Sequence, residues 1–300
     1  MKMKHNIYFA VLLLPVFFSA CKKLDQEPVS TATNESVFNT KEGLDLYANS
    51  FYSILPTASD IHKSDQMSDF GARNAVPDFL REGGFSARQS SGWSWTDLRN
   101  INYFLENNKS TSIQPEIRRN YNGLARFFRA YFYFEKVKRF GDVPWINRTF
   151  KIDDQALFNG RDSRTLVIDS IIADLDYAAA NITASATTNP SIINKSIALG
   201  LKSRVCLFEG TFRKYHTEYN LTTSAAGLLT QAADAAKKVI DGNGYSLNTG
   251  GGTALAYRTL FISTAPVTTE IMLAANVNPA LSVFHDANWW WPSSTYGARV

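Results

Sequence analysis

Residues 115–141 constrain the fold more than any other part of the sequence. Large apolar side chains recur there every three or four positions, which is the spacing of one face of an α-helix. They are Tyr121, Leu124, Phe127, Phe128, Tyr131, Phe134 and Val137. The intervening positions carry the basic residues Arg118, Arg119, Arg126, Arg129 and Lys136. The pattern predicts one long helix, with its aromatic face in the core and its basic face solvated or paired with acidic helices.

Five other segments show helical spacing. Thr40, Thr96, Ser163 and Asn194 each precede such a segment, and their side-chain oxygens are suited to cap a first helical turn. The fifth segment covers residues 225–241 and is followed by glycines. Helices in this succession predict a mostly α fold of stacked antiparallel helix pairs. The sequence shows neither a clean repeat period nor a tetratricopeptide consensus.

The remaining segments lack a period. Glycine and proline punctuate residues 57–92, which predicts long irregular loops, with short strands as an option. Residues 271–275 are apolar and predict a short buried strand or helix. The segment that follows is rich in tryptophan and is expected to be a loop.

The N-terminus has the layout of a secretory signal. Lys2 and Lys4 precede an apolar run that is too short to span a bilayer, and small residues precede Cys21. The sequence FSAC at residues 18–21 resembles the bacterial lipobox, whose cysteine receives the lipid anchor. We therefore predict a signal peptide at residues 1–20, a lipidated tether at 21–39 and a folded domain at 40–300. The alternative is an ordinary signal with an accidental cysteine.

The charge balance and the cysteine count limit what the chain can bind and how it can be cross-linked. Removal of Lys2 and Lys4 with the signal reduces the 31 basic residues to 29, against 27 acidic residues, so nothing indicates a nucleic-acid partner. With Cys21 lipidated, Cys206 is left alone in an apolar helical stretch, where we expect it to be a buried small hydrophobe.

Signals for an enzyme are weak. The sequence GFSAR at residues 84–88 lacks the last glycine of a nucleophile elbow. His62, His216 and His285 are far apart and lack metal-ligand spacing. We predict no catalytic residue, no metal site and no cofactor.

Several segments, in order along the chain, resemble the SusD/RagB nutrient-uptake lipoproteins. The strongest are YNGLARFFRAYFYF at residues 121–134 and RFGDVP at residues 139–144. The others are NYFLEN at 102–107, RDSR at 161–164, LFEGTFRKYH at 207–216 and the pair around 232–247. The lipobox and the short tether fit as well, so the resemblance covers essentially the whole mature chain.

The resemblance implies a mostly helical, SusD-like fold with tetratricopeptide-like helix pairs as its scaffold. It implies an outer-membrane lipoprotein that faces outward, binds glycans or oligosaccharides and passes them to a SusC-like TonB-dependent transporter. Peptide capture, as in RagB-like proteins, is the alternative within the family. A secreted glycoside-cleaving enzyme and a purely structural surface lipoprotein are the alternatives from other classes. Family members are usually longer, so we expect the C-terminal part of the family fold to be missing here.

Two groups of aromatic residues are the best ligand candidates. Trp93 and Trp95 lie in a Gly/Ser-rich stretch just before a predicted helix, with Asn100 nearby to hydrogen-bond hydroxyl groups. The second group consists of Trp289, Trp290, Trp291 and Tyr296. A flat indole can stack on the C–H face of a sugar ring, and burial of about 50 Å² contributes about 1 kcal/mol. For each tryptophan the alternative is core packing.

Overall fold

The structure is a computed structural model. It describes residues 34–64, 72–73, 81–84, 86, 91–184, 189–292 and 298–299. The predicted signal peptide, Cys21, most of the predicted tether and Tyr296 lie outside the described residues.

Helices dominate the described residues. The α-helices are α1 Asn34–Phe38, α2 Lys41–Asn49, α3 Ala58–Ser64, α4 Thr96–Asn107, α5 Pro115–Phe140, α6 Arg164–Asn181, α7 Lys195–Tyr215, α8 Ala225–Asp241, α9 Gly252–Ile262 and α10 Ala287–Trp290. Short 3₁₀ helices cover Ser50–Ile54, Gln155–Phe158, Thr217–Tyr219, Thr222–Ser224 and Pro279–Leu281. Two short strands, β1 Ala72–Arg73 and β2 Ala298–Arg299, pair in antiparallel register with Ala72 opposite Arg299.

Local sequence signals set most helix boundaries. The Thr40 hydroxyl accepts a hydrogen bond from the Gly43 amide at 3.1 Å and caps α2. Ser163 and Asn194 cap α6 and α7 in the same way. The helix α5 ends at Gly141, whose φ of 71° lies in the left-handed region that a glycine adopts without strain. Three of the four predicted caps are therefore confirmed.

The predicted cap at Thr96 is wrong by one position. Trp95 occupies the N-cap of α4 and makes no side-chain cap hydrogen bond. The aromatic packing of Trp95 holds this end of the helix, so tertiary contacts replace the local cap.

Successive long helices run antiparallel. Arg129, in the middle of α5, pairs with Asp174 of α6. A backbone bridge between Val143 and Asp162 joins the segment after the end of α5 to the segment before the start of α6, so the two helices run in opposite directions. The helices α7 and α8 are antiparallel as well, because Arg213 binds Ser224 while Ser203 binds the carbonyl of Ala232. The predicted fold class, a mostly α fold of stacked antiparallel pairs, is confirmed.

One close helix approach depends on glycine. A Cβ atom at Gly210 of α7 would lie 2.8 Å from Cδ2 of Leu229 and 3.2 Å from the backbone nitrogen of the same residue. Because the backbone of α8 comes this near, α7 and α8 pack more tightly than a larger residue would permit.

The core is built from aromatic and aliphatic side chains around α5. The largest fully buried ones include Phe51, Phe104, Phe127, Phe128 and Tyr133. The aromatic face predicted for α5 is therefore core. Cys206 is also fully buried, as expected, and burial raises the pKa of its thiol to about 11.

Four segments differ from the sequence-based expectation. The predicted tether ran to Asn39, whereas α1 is helical and its Phe38 is buried in the core. The helix α3 lies in a segment expected to be loops, and α10 lies in the tryptophan-rich segment expected to be a loop. Residues 271–275 are neither strand nor helix, and Leu273 is 36% exposed. An amide hydrogen bond from Ala274 to the Pro190 carbonyl at 2.8 Å holds that segment in place instead.

Across the described part of the chain, no helix combines the length and the apolar character needed to cross a bilayer.

Candidate functional site

The segment 91–95 is fastened to the C-terminal half of α5. The Lys136 ammonium donates to the Gly92 carbonyl, and Nη2 of Arg139 donates to the Ser91 hydroxyl at 3.1 Å. Gly92 has a φ of 87°, a left-handed conformation that glycine adopts without strain. Partial burial lowers the pKa of the Lys136 ammonium, although Asp97 opposes the shift.

Trp93 lies at the outer end of an aromatic series that continues into the core. Its ring is 4.9 Å from Phe140 and 5.1 Å from Trp95, edge-on to both, and the side chain remains 43% exposed. Trp95 in turn lies 5.7 Å from Phe132 and is half-buried. The two candidate tryptophans are therefore brought together, but only Trp93 presents a large surface to solvent.

Trp95 and Asn100 are committed to packing and internal hydrogen bonds. The amide oxygen of Asn100 accepts from the Tyr47 hydroxyl at 2.7 Å, and its amide nitrogen donates to the Ser50 hydroxyl at 3.1 Å. These bonds tie α4 to α2 and to the 3₁₀ helix after it. These bonds fix the orientation of the Asn100 amide toward neighbouring helices, so the geometry favours Trp93 over Asn100 as a ligand contact.

The second group of tryptophans lies against α3. Trp289 is 58% exposed, and the Lys63 ammonium lies 4.5 Å from the centre of the Trp290 ring. Trp291 lies near His62, with 6.3 Å between ring centres. The three consecutive rings thus have different environments, and Trp289 is the most exposed of them. Tyr296 lies outside the described residues.

Asp286 anchors this second group to α3. Its carboxylate accepts from Lys63 at 2.8 Å, from the His62 ring at 2.7 Å and from the Ser59 hydroxyl at 3.0 Å. The hydrogen bonds from Lys63 and His62 hold the pKa of Asp286 well below its ordinary value. A carboxylate fixed as a charged acceptor in this way serves to position the chain.

A cleft next to Trp93 was not predicted from the sequence. It has a volume of about 520 Å³ and lies where α5 ends and α6 begins. We call it the arginine cleft; its cations and aromatic rings are Lys138, Phe140, Arg161, Arg164, Phe212 and Tyr219. The Arg161 guanidinium lies 4.9 Å from the centre of the Trp93 ring, so Trp93 adjoins the cleft.

Another cavity of about 400 Å³ lies between α3, α5 and the segment after residue 272. Tyr52 and Tyr131 line it together with Ile61 and Asn276. The Tyr52 hydroxyl accepts from the Ile193 amide at 2.9 Å, and the Asn276 amide donates to Ser191 at 2.5 Å. Its polar groups thus hold neighbouring segments together, and the cavity is more apolar than the arginine cleft.

Comparison with known proteins finds a family with a similar sequence. The SusD-like family model described as "Starch-binding associating with outer membrane" matches residues 80–198, which include Trp93, α4, α5 and α6. SusD-like protein P2 of Formosa agariphila is 25% identical over 237 residues, which cover 70% of this chain and 44% of that protein.

Solved structures share the fold. NanU of Bacteroides fragilis superposes with a TM-score of 0.62 at 14% identity, covering 90% of this chain and 55% of that one. A SusD homolog from Bacteroides thetaiotaomicron gives 0.60 at 19% identity, covering 82% and 48%. A SusD-like protein from Bacteroides fragilis gives 0.54 at 20% identity, covering 80% and 45%. The chain is similar to the SusD-like proteins in sequence over residues 80–198 and shares their fold.

The chain spans about half the length of the relatives that it matches. The match to the family model covers Trp93 and the helices α4 to α6, whereas Phe212 and Tyr219 of the arginine cleft lie beyond it. At identities of 14–20% the solved structures establish the fold. The resemblance inferred from the residue motifs is thereby confirmed.

Proposed function

We propose that this protein is a surface glycan-capturing lipoprotein that delivers oligosaccharides to a TonB-dependent transporter of the SusC type. The observation that carries the proposal is Trp93, a 43%-exposed indole held edge-on by Trp95 and Phe140 on a SusD-family frame. A fixed indole offers a flat apolar surface without a large loss of side-chain entropy on binding.

The arrangement suits capture and release more than catalysis. One sugar ring stacked on Trp93 contributes about 1 kcal/mol for ~50 Å² of buried apolar surface. Several such contacts give a modest affinity, which permits onward transfer. The second contact surface in the proposal is Trp289, which is exposed next to α3.

Replacement of Trp93 by alanine is expected to weaken glycan binding by about fivefold, the equivalent of ~1 kcal/mol. The measurement is retardation in native gels that contain a panel of polysaccharides, with an assay for new reducing ends. Trp93→Ala is cleaner than Trp95→Ala, because Trp95 packs on the core. The control is Tyr257→Ala, which removes an aromatic side chain that is 78% exposed on α9.

Retardation without new reducing ends, reduced in Trp93→Ala and unchanged in Tyr257→Ala, supports the proposal. New reducing ends would indicate a glycoside-cleaving enzyme instead. Binding of peptides in the absence of glycan binding would favour the RagB-like alternative. Equal retardation of the wild type and Trp93→Ala would contradict the assignment of Trp93, and the same comparison with Trp289→Ala then tests the second group.

The Cys21→Ala variant is expected to leave the membrane fraction, because the two or more acyl chains needed for stable anchoring would be lost. Cell fractionation measures this release, and detergent-extracted wild type is expected to co-purify with an outer-membrane barrel. The Cys206→Ala variant is the matched control, since it removes the other cysteine of the chain. Membrane association that survives in Cys21→Ala would exclude the proposed anchor.

A further inference from the structure

The arginine side chains at and behind the arginine cleft carry more positive charge than the neighbouring carboxylates neutralise. Glu209 is fully buried and accepts from Nε of Arg164 and Nε of Arg213, at 2.8 Å each. Two guanidinium groups therefore share one carboxylate. Both Arg164 and Arg213 also carry a buried Nη2 nitrogen without a hydrogen-bond partner in the described part of the chain. Arg164, whose side chain is only 8% exposed, lines the cleft.

Arg161 adds a second cation at the mouth of the cleft. Its side chain is exposed, and its Nη1 donates only long hydrogen bonds, at 3.4 Å, to the carbonyls of Phe140 and Asp142. Among the residues that the structure describes, no carboxylate forms an ion pair with Arg161. A guanidinium has five N–H donors, so most of its capacity remains for a ligand.

The acidic groups at the cleft are already engaged. The Asp142 carboxylate accepts from the Arg164 amide at 2.9 Å at the start of α6. Glu135 pairs with Lys138 at 2.6 Å. Arg161 and Arg164 therefore face the cleft with one carboxylate on its wall, and that carboxylate is bound to the backbone.

Aromatic rings flank these cations. The Arg164 guanidinium lies 3.7 Å from the centre of the Phe212 ring, and Arg161 lies over Trp93. Rings beside guanidinium groups offer a sugar both an apolar surface and charged donors. A neutral glycan would use only the rings.

We propose that the arginine cleft binds the carboxylate or sulfate group of an acidic sugar, while Trp93 stacks on the same or an adjacent ring. This inference rests on the proposed glycan-binding function and specifies its ligand class. Arg161 supplies the accessible charged donors, and Arg164 contributes the buried positive charge behind them. The volume of about 520 Å³ accommodates a monosaccharide unit.

The test uses matched neutral and charged ligands in calorimetric titrations of the whole chain. Dextran is compared with dextran sulfate, and the methyl ester of oligogalacturonate with the free acid. We expect tighter binding of at least one charged member than of its neutral counterpart. A gain for dextran sulfate alone assigns a sulfate group, and a gain for free oligogalacturonate alone assigns a carboxylate.

Arg161→Gln is expected to lower the affinity for the charged ligand by about tenfold, since a charge-assisted hydrogen bond is lost. Arg161→Lys is expected to retain part of the preference. Arg258→Gln removes an exposed arginine on α9 that does not line the cleft, and it is expected to bind like the wild type. Arg164 is unsuitable for substitution because its buried ion pair supports the fold.

Equal affinities for charged and neutral ligands would overturn this inference while leaving the proposed function intact. An equal loss in Arg161→Gln and Arg258→Gln would also overturn it, because the effect would then be one of overall charge. Failure of every glycan in the gel panel and in the titrations would overturn the proposed function and this inference together.

Discussion

Replacing Glu209 with alanine is expected to lower the free energy of unfolding by about 3–5 kcal/mol. Glu209 is fully buried and is the carboxylate shared by Arg164 and Arg213, whose side chains are 8% and 3% exposed. Alanine would leave two buried guanidinium groups without their counter-charge. The cost of an unpaired buried charge exceeds the cost of losing the same pair at the surface, where water replaces the partner.

Urea titration followed by circular dichroism measures this difference. The matched control is Asp241→Ala, which breaks the exposed ion pair with Lys237 at 2.8 Å on α8 and is expected to cost less than about 1 kcal/mol. Glu209→Gln keeps the shape and a hydrogen-bond acceptor but removes the charge. A Glu209→Ala variant as stable as Asp241→Ala would show that the cluster does not depend on its buried carboxylate.

Asp174→Ala is expected to destabilise the protein by a similar amount, about 3–5 kcal/mol. Asp174 binds Arg129 through two hydrogen bonds, at 2.6 and 2.8 Å, and lies 3.7 Å from Arg126. The Arg129 side chain is 9% exposed, so water cannot readily replace the carboxylate. Arg129 also donates a long hydrogen bond, at 3.4 Å, to the amide oxygen of Asn102.

A double variant separates the charge from the packing. Arg129→Met combined with Asp174→Leu removes both charges and keeps apolar volume, and we expect it to be more stable than Asp174→Ala in the same urea titration. If the double variant is less stable than Asp174→Ala, the remaining hydrogen bonds of Arg129 contribute more to the free energy of unfolding than its unpaired charge costs.

These two ion-pair clusters also position the proposed site. Asp174 joins the middle of α6 to α5, and Glu209 of α7 binds Arg164 at the start of α6, so together they fix α6 against its neighbours. Arg161 and Arg164 lie at that start. The same buried charges that hold the helices together thus set the walls of the arginine cleft.

The long helices were predictable because their signals are local. In α5 an amphipathic pattern extends over 26 residues, from Pro115 to the residue before Gly141. In α7 the cap at Asn194 precedes the apolar face. Neither α3 nor α9 was predicted from the sequence, and neither helix contains a buried residue. Short helices of this kind depend on contacts with distant segments.

The candidate site was predictable only in part. Trp93 was predicted as a ligand contact together with Trp95, because both lie in a Gly/Ser-rich stretch just before a helix. The arginine cleft was missed because Phe140, Arg161, Phe212 and Tyr219 come from separate segments of the chain. In the sequence each has an ordinary local explanation, such as the end of a helix or the residues before its cap.

The sequence by itself determined the helical class, most helix boundaries, the aromatic core of α5 and the resemblance to the SusD-like proteins, because periodicity, caps and motifs are encoded over a few turns. The tertiary structure decided which polar residues are available to a ligand. Asn100 and Trp95 are engaged in internal contacts, whereas Trp93 stays exposed and adjoins the cations of the arginine cleft. Burial and ion pairing depend on residues that are far apart in the chain. The distances between these residues in space are fixed only when α5, α6 and α7 pack together.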